Sequence, residues 1–165
     1  MRILVIGVLC LAGGAAQAEG FAVRDLRTIK SEISAALDRR FTLRAEAKRL
    51  TLTCPDCEGA PIIDILLGRQ DDGTEARVRS GETTMARLEA LCQARSPDCR
   101  LSPLSVAPAV GWITTYAIAS TAGSTAIILH GGDLLTIRSL ASDRAVASGN
   151  AERLASSVAP RIVGR

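Results

Sequence analysis

STAIILHGGDLLTIRS, residues 124–139, contains two apolar runs separated by the pair Gly131-Gly132. Glycine pairs readily adopt the positive φ angles of the tight turns that join antiparallel strands. The stretch therefore predicts a β-hairpin with one strand near 124–130 and the other near 133–139. Because hairpins pair neighbouring strands directly, it also indicates a mainly antiparallel sheet.

A second hairpin is predicted around Asp72-Gly73, another pair that tight turns favour. We interpret 62–69, which is rich in β-branched residues, as its first strand and 74–79 as its return strand. Asp64 interrupts the apolar run, but alternation along a strand places it on the face opposite its isoleucine neighbours. We therefore expect Asp64 to be a hydrogen-bonded carboxylate, less buried than those neighbours, and not a catalytic group.

Apolar residues at helical spacing predict about three helices, and alternating residues predict four more strands. The predicted helices are 24–38, 84–94 with Thr83 or Thr84 as its cap, and 150–158 with Asn150 as its cap. The additional strands lie near 41–47, 50–54, 101–106 and 111–120. The predicted fold class is α+β, a mainly antiparallel sheet built from hairpins with about three helices packed on it.

Between residues 101 and 132 the chain carries no Asp, Glu, Lys or Arg. Central strands covered on both faces would account for such a stretch, and a surface for self-association or for a protein partner is the alternative. Trp112, Tyr116 and Ile118 are the candidate residues of this core or interaction segment. Its prolines, glycines and hydroxyl residues argue against a membrane-spanning helix, so stable membrane insertion is not expected.

The first 18 residues have the pattern of a cleavable signal peptide. Arg2 precedes an uncharged apolar run, and Ala16-Gln17-Ala18 is the small-x-small triplet that signal peptidases recognise. The run is too short for a membrane anchor, which is the alternative reading. We expect a mature chain that begins at Glu19, forms one α+β domain over 19–165 and is periplasmic or secreted.

Cleavage after residue 18 would leave 147 of the 165 residues and lower the formal net charge from +3 to +2. A charge so close to zero argues against nucleic acid, which requires a dense basic patch. Aromatic residues make up only 2% of the chain, which argues against surfaces that bind sugars or single strands by stacking.

Four cysteines remain after the predicted cleavage: Cys54, Cys57, Cys92 and Cys99. An even number in an oxidising compartment indicates disulfides, and three connectivities are possible. Turn residues between the members of each local pair favour Cys54–Cys57 and Cys92–Cys99 as structural bridges. Cys92 is expected to point into the core from its helix. A four-thiolate zinc site and a redox-active Cys54/Cys57 pair are the alternatives.

No catalytic motif is recognisable in the sequence. The single histidine, His130, is interpreted as a strand-end residue beside the Gly131-Gly132 turn. No catalytic residue, metal ligand or cofactor is therefore predicted. The expected function is that of a non-enzymatic interaction or accessory module with an unknown protein partner or a second copy of itself. Thiol–disulfide exchange and the binding of a small ligand or metal remain the alternatives.

Overall fold

A computed structural model describes residues 20–164, so the predicted signal peptide lies outside the described residues. Seven antiparallel strands form one sheet with the order β1-β2-β3-β7-β6-β5-β4, which confirms the predicted α+β fold class. The strands are β1 (Thr42–Ala45), β2 (Arg49–Thr53), β3 (Ile62–Arg69), β4 (Arg100–Pro103), β5 (Val110–Ile118), β6 (Thr121–His130) and β7 (Asp133–Ala141).

Helical segments precede the sheet, connect β3 to β4 and follow β7. They are a 3-10 turn (Leu26–Ile29), α1 (Lys30–Ala35), α2 (Thr74–Arg79), α3 (Met85–Gln93) and α4 (Arg144–Val163). The first two replace the predicted helix 24–38, because the Asp25 carboxylate caps the Arg27 N–H at 2.9 Å and starts the turn at Leu26. Across residues 20–164, no helix combines the length and the apolar character needed to cross a membrane.

Helix α4 packs along β6 and β7 and is longer than predicted. It begins after Asp143, whose carboxylate accepts the Val146 N–H at 2.9 Å, and it includes Pro160 near its end. The predicted start at Asn150 was wrong because the first turns are rich in small residues and carry little hydrophobic signal. Its buried side includes alanines at every fourth position, Ala147, Ala151, Ala155 and Ala159, and side chains this small allow close helix–sheet packing.

The two predicted hairpins have opposite outcomes. Gly131 and Gly132, with φ angles of 56° and 78°, form the turn between β6 and β7 as predicted. The hairpin at Asp72-Gly73 was wrong, because Gly73 precedes α2 and β3 pairs with β2 and β7. Thr74–Arg79 lacks the alternation of a strand, and a Glu75–Arg79 ion pair one turn apart at 2.8 Å stabilises the helix in its place.

The uncharged stretch 101–132 supplies most of β4, β5 and β6, and its three candidate residues lie in different environments. Trp112 is buried and Tyr116 is half-buried, but Ile118 is 59% exposed. Ile118 is the last residue of β5, next to the turn into β6. Trp112 is thus buried within the single chain, whereas Ile118 is not, and its burial against a partner or a second copy stays a prediction.

Replacing Ile118 by Asp is accordingly expected to change the free energy of unfolding by no more than about 0.5 kcal/mol, because a solvated surface charge costs little. The matched control is Ile128→Val, which removes one methylene from a fully buried side chain and should cost about 1 kcal/mol. Urea unfolding of both variants measures the contrast. A larger loss for Ile118→Asp than for Ile128→Val would show that Ile118 is covered, for example by a second copy of the chain.

Candidate functional site: the open face of the sheet

The two faces of the sheet are unequal. Alternate residues of β2, β3, β6 and β7 form the core together with α4 and α1, and several are fully inaccessible. These include Leu50, Leu52, Ile63, Ile65, Ile128, Leu135 and Ile137. The opposite side, which we call the open face, is formed by the intervening residues of β1, β2, β3, β7, β6 and β5. They include Arg44, Arg49, Thr51, Asp64, Leu66, Thr136, Arg138, Leu140, Thr125 and Tyr116.

A single cross-strand row lies at the centre of the open face. Arg44 pairs with Thr51, Thr51 with Asp64, Asp64 with Arg138, and Arg138 with Thr125. Directly paired residues of antiparallel strands project from the same side of the sheet, so these five side chains share one surface. The row brings together groups from positions 44 to 138 of the chain.

Asp64 is the centre of a hydrogen-bonded group on this row. Its Oδ1 accepts hydrogen bonds from Arg49 Nη2 and Thr51 Oγ1, both at 2.9 Å, and its Oδ2 accepts one from Arg138 Nη2 at 2.7 Å. The predicted hydrogen-bonded carboxylate is thus confirmed. Asp64 is 5% exposed and the isoleucines on either side of it are 0% exposed, so it is only slightly less buried than they are, because the side chains that bind it cover it.

Hydrogen bonding keeps this carboxylate ionised. Burial by itself raises the pKa of Asp64, but the hydrogen bonds from Arg138, Thr51 and Arg49 outweigh burial and hold the pKa below its ordinary value. Arg49 and Arg138, which we call the arginine pair, are always protonated in proteins. Two guanidiniums and one carboxylate leave the group with one net positive charge at neutral pH.

The arginine pair is oriented by a buried group and still faces solvent. The side chains of Arg49 and Arg138 are 55% and 44% exposed, whereas that of Asp64 is 6% exposed. Beside them is a depression of about 480 Å³ over β1 and β2. Its lining is made entirely of hydroxyl and charged residues: Thr42, Arg44, Glu46, Arg49, Thr51 and Thr53.

Tyr116 extends the open face on the other side of Arg138. Its ring lies over Gly123, where any side chain would collide with it, and its hydroxyl is 2.9 Å from Thr125 Oγ1. Gly123 is therefore required by the close approach of the ring. The sequence singled out Tyr116, and the register brings it next to the row that contains Asp64.

Both local cysteine pairs form disulfides, as predicted. The Cα atoms are 5.3 Å apart in Cys54–Cys57 and 5.8 Å apart in Cys92–Cys99, within the usual range for such bonds. Cys92 does not point into the core as expected, because α3 lies at the edge of the sheet and none of its residues is buried. Its partner Cys99 is the fully buried member of the pair.

Opening the second bridge is expected to release α3. The variant Cys92→Ala/Cys99→Ala should lose about 2.5 kcal/mol of stability from the loop-closure term. The remaining polar contacts to α3 include a 3.3 Å hydrogen bond from the Leu101 N–H to Glu89. Amide hydrogen exchange should therefore show lost protection concentrated in 85–93. Uniform loss across the sheet would contradict a local role for this bridge.

A second polar group lies at the end of the sheet where β6 turns into β7. Asp133 is buried and accepts hydrogen bonds from the Phe21 N–H, Arg24 and Arg69. His130 is the last residue of β6, as predicted, with Nδ1 3.9 Å from Glu75 Oε1. The sequence placed Asp133 at the start of a predicted strand, but it gave no sign that this carboxylate is buried and binds the Phe21 N–H.

The open face is suited to binding. Guanidiniums donate paired hydrogen bonds to carboxylates and phosphates, and threonine hydroxyls both donate and accept. Within residues 20–164, no three or more His, Cys, Asp or Glu side chains are arranged to hold a metal ion. The chain matches no protein-family model and no curated protein sequence.

Proposed function

We propose that this protein is an exported, non-enzymatic accessory module that binds a protein partner on the open face of its sheet. The observation that carries the proposal is a buried carboxylate, Asp64, that holds two solvent-facing arginines. Apolar residues of similar size are often as stabilising as a buried ion pair, or more so. Folding stability alone therefore does not explain why a carboxylate is buried between two arginines. A binding surface does gain from it, because the carboxylate orients two guanidinium groups as hydrogen-bond donors.

The composition of the surrounding face supports a protein as the partner. Leu66 and Leu140 are half-buried beside the polar row, and Ile62, which pairs with Leu140, is exposed. Protein interfaces combine apolar contacts with arginine and tyrosine in this manner. Such contacts become favourable when a partner removes the half-exposed apolar atoms from water.

The N-terminal pattern and the two disulfides support export. The apolar run and the Ala16-Gln17-Ala18 triplet predict cleavage before Glu19. Disulfides persist mainly in the periplasm, in secreted proteins and in other oxidising compartments. Both features agree on a partner outside the cytoplasm.

Site-specific photocrosslinking in the cells of origin tests the proposal. A photoreactive residue in place of Thr136, at the centre of the open face, is expected to give a discrete protein adduct. The same residue in place of the exposed Thr28, away from this face, is the matched control and should give none. Thr136→Glu should abolish co-purification of that partner and Thr28→Glu should not. Equal adducts at both positions, or a partner retained by Thr136→Glu, would overturn the proposal.

Thiol–disulfide exchange at Cys54–Cys57 is the second function that the sequence left open, and the surroundings favour a structural bridge. Cys54 is buried, and Asp56 and Glu58 put negative charge beside Cys57, which disfavours a thiolate. We expect the pair to remain oxidised in glutathione buffers poised near about −200 mV. Peptide mapping after equilibration measures this, and a reduced pair in a folded protein would restore the oxidoreductase hypothesis.

A further inference from the structure

We propose that the arginine pair forms a carboxylate-binding site and that the partner docks through an acidic polypeptide segment. This inference rests on the proposed function, because it names the chemistry by which the open face recognises its partner. The site consists of Arg49 and Arg138 held by Asp64, with Thr136 beside them in the adjoining row.

The arginine pair retains donors for a ligand. Each guanidinium has five N–H donors, and in the described structure Arg49 and Arg138 each direct one nitrogen, Nη2, to Asp64. Since both side chains are about half exposed, a ligand can reach them from the solvent. Fixing the guanidiniums in advance reduces the ordering cost that a ligand would otherwise meet.

Charge on the face complements an anion. Asp64 offsets one of its two arginines, which leaves one positive charge that no carboxylate of the group balances. Arg44, further along the row, is 84% exposed, and its partner Glu46 is itself exposed. A second acidic side chain of the same ligand can therefore reach Arg44, which lies three strands, or about 14 Å, from Arg138.

The apolar surroundings favour a polypeptide over a small free anion. Leu66 and Leu140 flank the Asp64 row and are half-buried. An acidic side chain on a polypeptide brings backbone and neighbouring side chains onto these leucines, whereas phosphate would leave them in water. The formal net charge of the whole chain is only +3, which also argues against a ligand with a phosphate backbone.

Fluorescence anisotropy with labelled hexaglutamate at low ionic strength tests the site. The native protein should bind hexaglutamate saturably and should not bind hexaglutamine. The variant Arg49→Gln/Asp64→Asn/Arg138→Gln, which removes all three charges together and leaves none buried and unpaired, should bind at least tenfold more weakly. Arg49→Lys/Arg138→Lys should fall between the two, because lysine keeps the charge but loses the planar fork.

A second pair of variants leaves Asp64 and its arginines untouched. Thr136→Glu should weaken hexaglutamate binding at least tenfold by repulsion, and Thr136→Gln should leave it within about twofold. Failure of the native protein to bind hexaglutamate, undiminished binding by the triple variant or by Thr136→Glu, or binding of inorganic phosphate alone would each overturn the inference.

The two proposals can fail separately. If photocrosslinking at position 136 identifies a partner but hexaglutamate does not bind, the carboxylate site is wrong and the interaction surface stands. If hexaglutamate binds as expected but Thr136→Glu retains every partner of the native protein, the interaction surface is wrong.

Discussion

The variant Arg49→Met/Arg138→Met is expected to lose about 3 kcal/mol of folding stability at pH 7. It removes two of the three hydrogen-bond donors that the structure gives Asp64 and leaves Thr51 as the third. An ionised carboxylate without compensating charge is expensive to bury. We expect the lower end of the usual cost because water enters the open face where the arginines lay.

Adding Asp64→Leu to that variant should recover most of the loss, since three apolar side chains replace three charged ones of comparable size. Urea unfolding of the native protein, the double variant and the triple variant measures the two steps. A triple variant no more stable than the double variant would show that repacking, and not an unpaired charge, causes the loss.

The pH dependence of these proteins has a definite sign. In the native protein the pKa of Asp64 is below its ordinary value. The stability that Asp64 contributes is therefore fully present above the unfolded-state pKa of about 3.9, and it is lost as the pH falls through the folded-state pKa. In the double variant burial dominates and should raise the pKa, so stability is lost as the pH rises through that raised value. The difference between the two proteins should therefore be largest at neutral pH and shrink toward pH 4.

The sequence predicts the carboxylate but not its partners. Asp64 stands out because a charge within an apolar, strand-like run has few explanations, and alternation places it away from the core. Arg138 lies 74 residues away along the chain and meets Asp64 only because β7 pairs with β3. That pairing depends on the whole sheet order, which no local pattern specifies.

Local turn chemistry and tertiary packing explain the remaining successes and errors. Gly131-Gly132 has one suitable role, a tight turn, and the prediction there is correct. Gly73 has the positive φ angle that the Asp-Gly pair indicates, but the chain continues into α2 and not into a strand. Half of α4 was missed because its alanines bury little surface individually, and their importance appears only when the sheet beneath them is known.

The second large effect is expected at Asp133. Asp133→Ala should lose about 4 kcal/mol, and the loss should be accompanied by release of the segment that begins at Gly20. The carboxylate is 4% exposed and accepts the Phe21 N–H at 2.7 Å, as well as hydrogen bonds from Arg24 and Arg69. Both arginines are more than half exposed and turn to water without it. The buried Phe21 N–H cannot turn to water, and leaving it without a hydrogen bond costs about 1–3 kcal/mol. Exposing the Phe21 ring to water when the segment is released costs about 1.5–3 kcal/mol more.

Two further variants separate this contact from general damage. Gly20 has a φ angle of 88°, and a Cβ atom there would collide with the Asp133 carboxylate, so Gly20→Ala should weaken the same contact. A chain that begins at Ala22 lacks Phe21 and should lose about as much stability as Asp133→Ala. If the carboxylate acts by holding this segment, adding Asp133→Ala to the shortened chain should cost less than about 1 kcal/mol, because the partner has already been removed. Two results would contradict this: additive losses of stability in urea unfolding, or a Val23 amide that stays protected from hydrogen exchange in Asp133→Ala. Either would show that Asp133 stabilises the end of the sheet and not the segment after the predicted cleavage site.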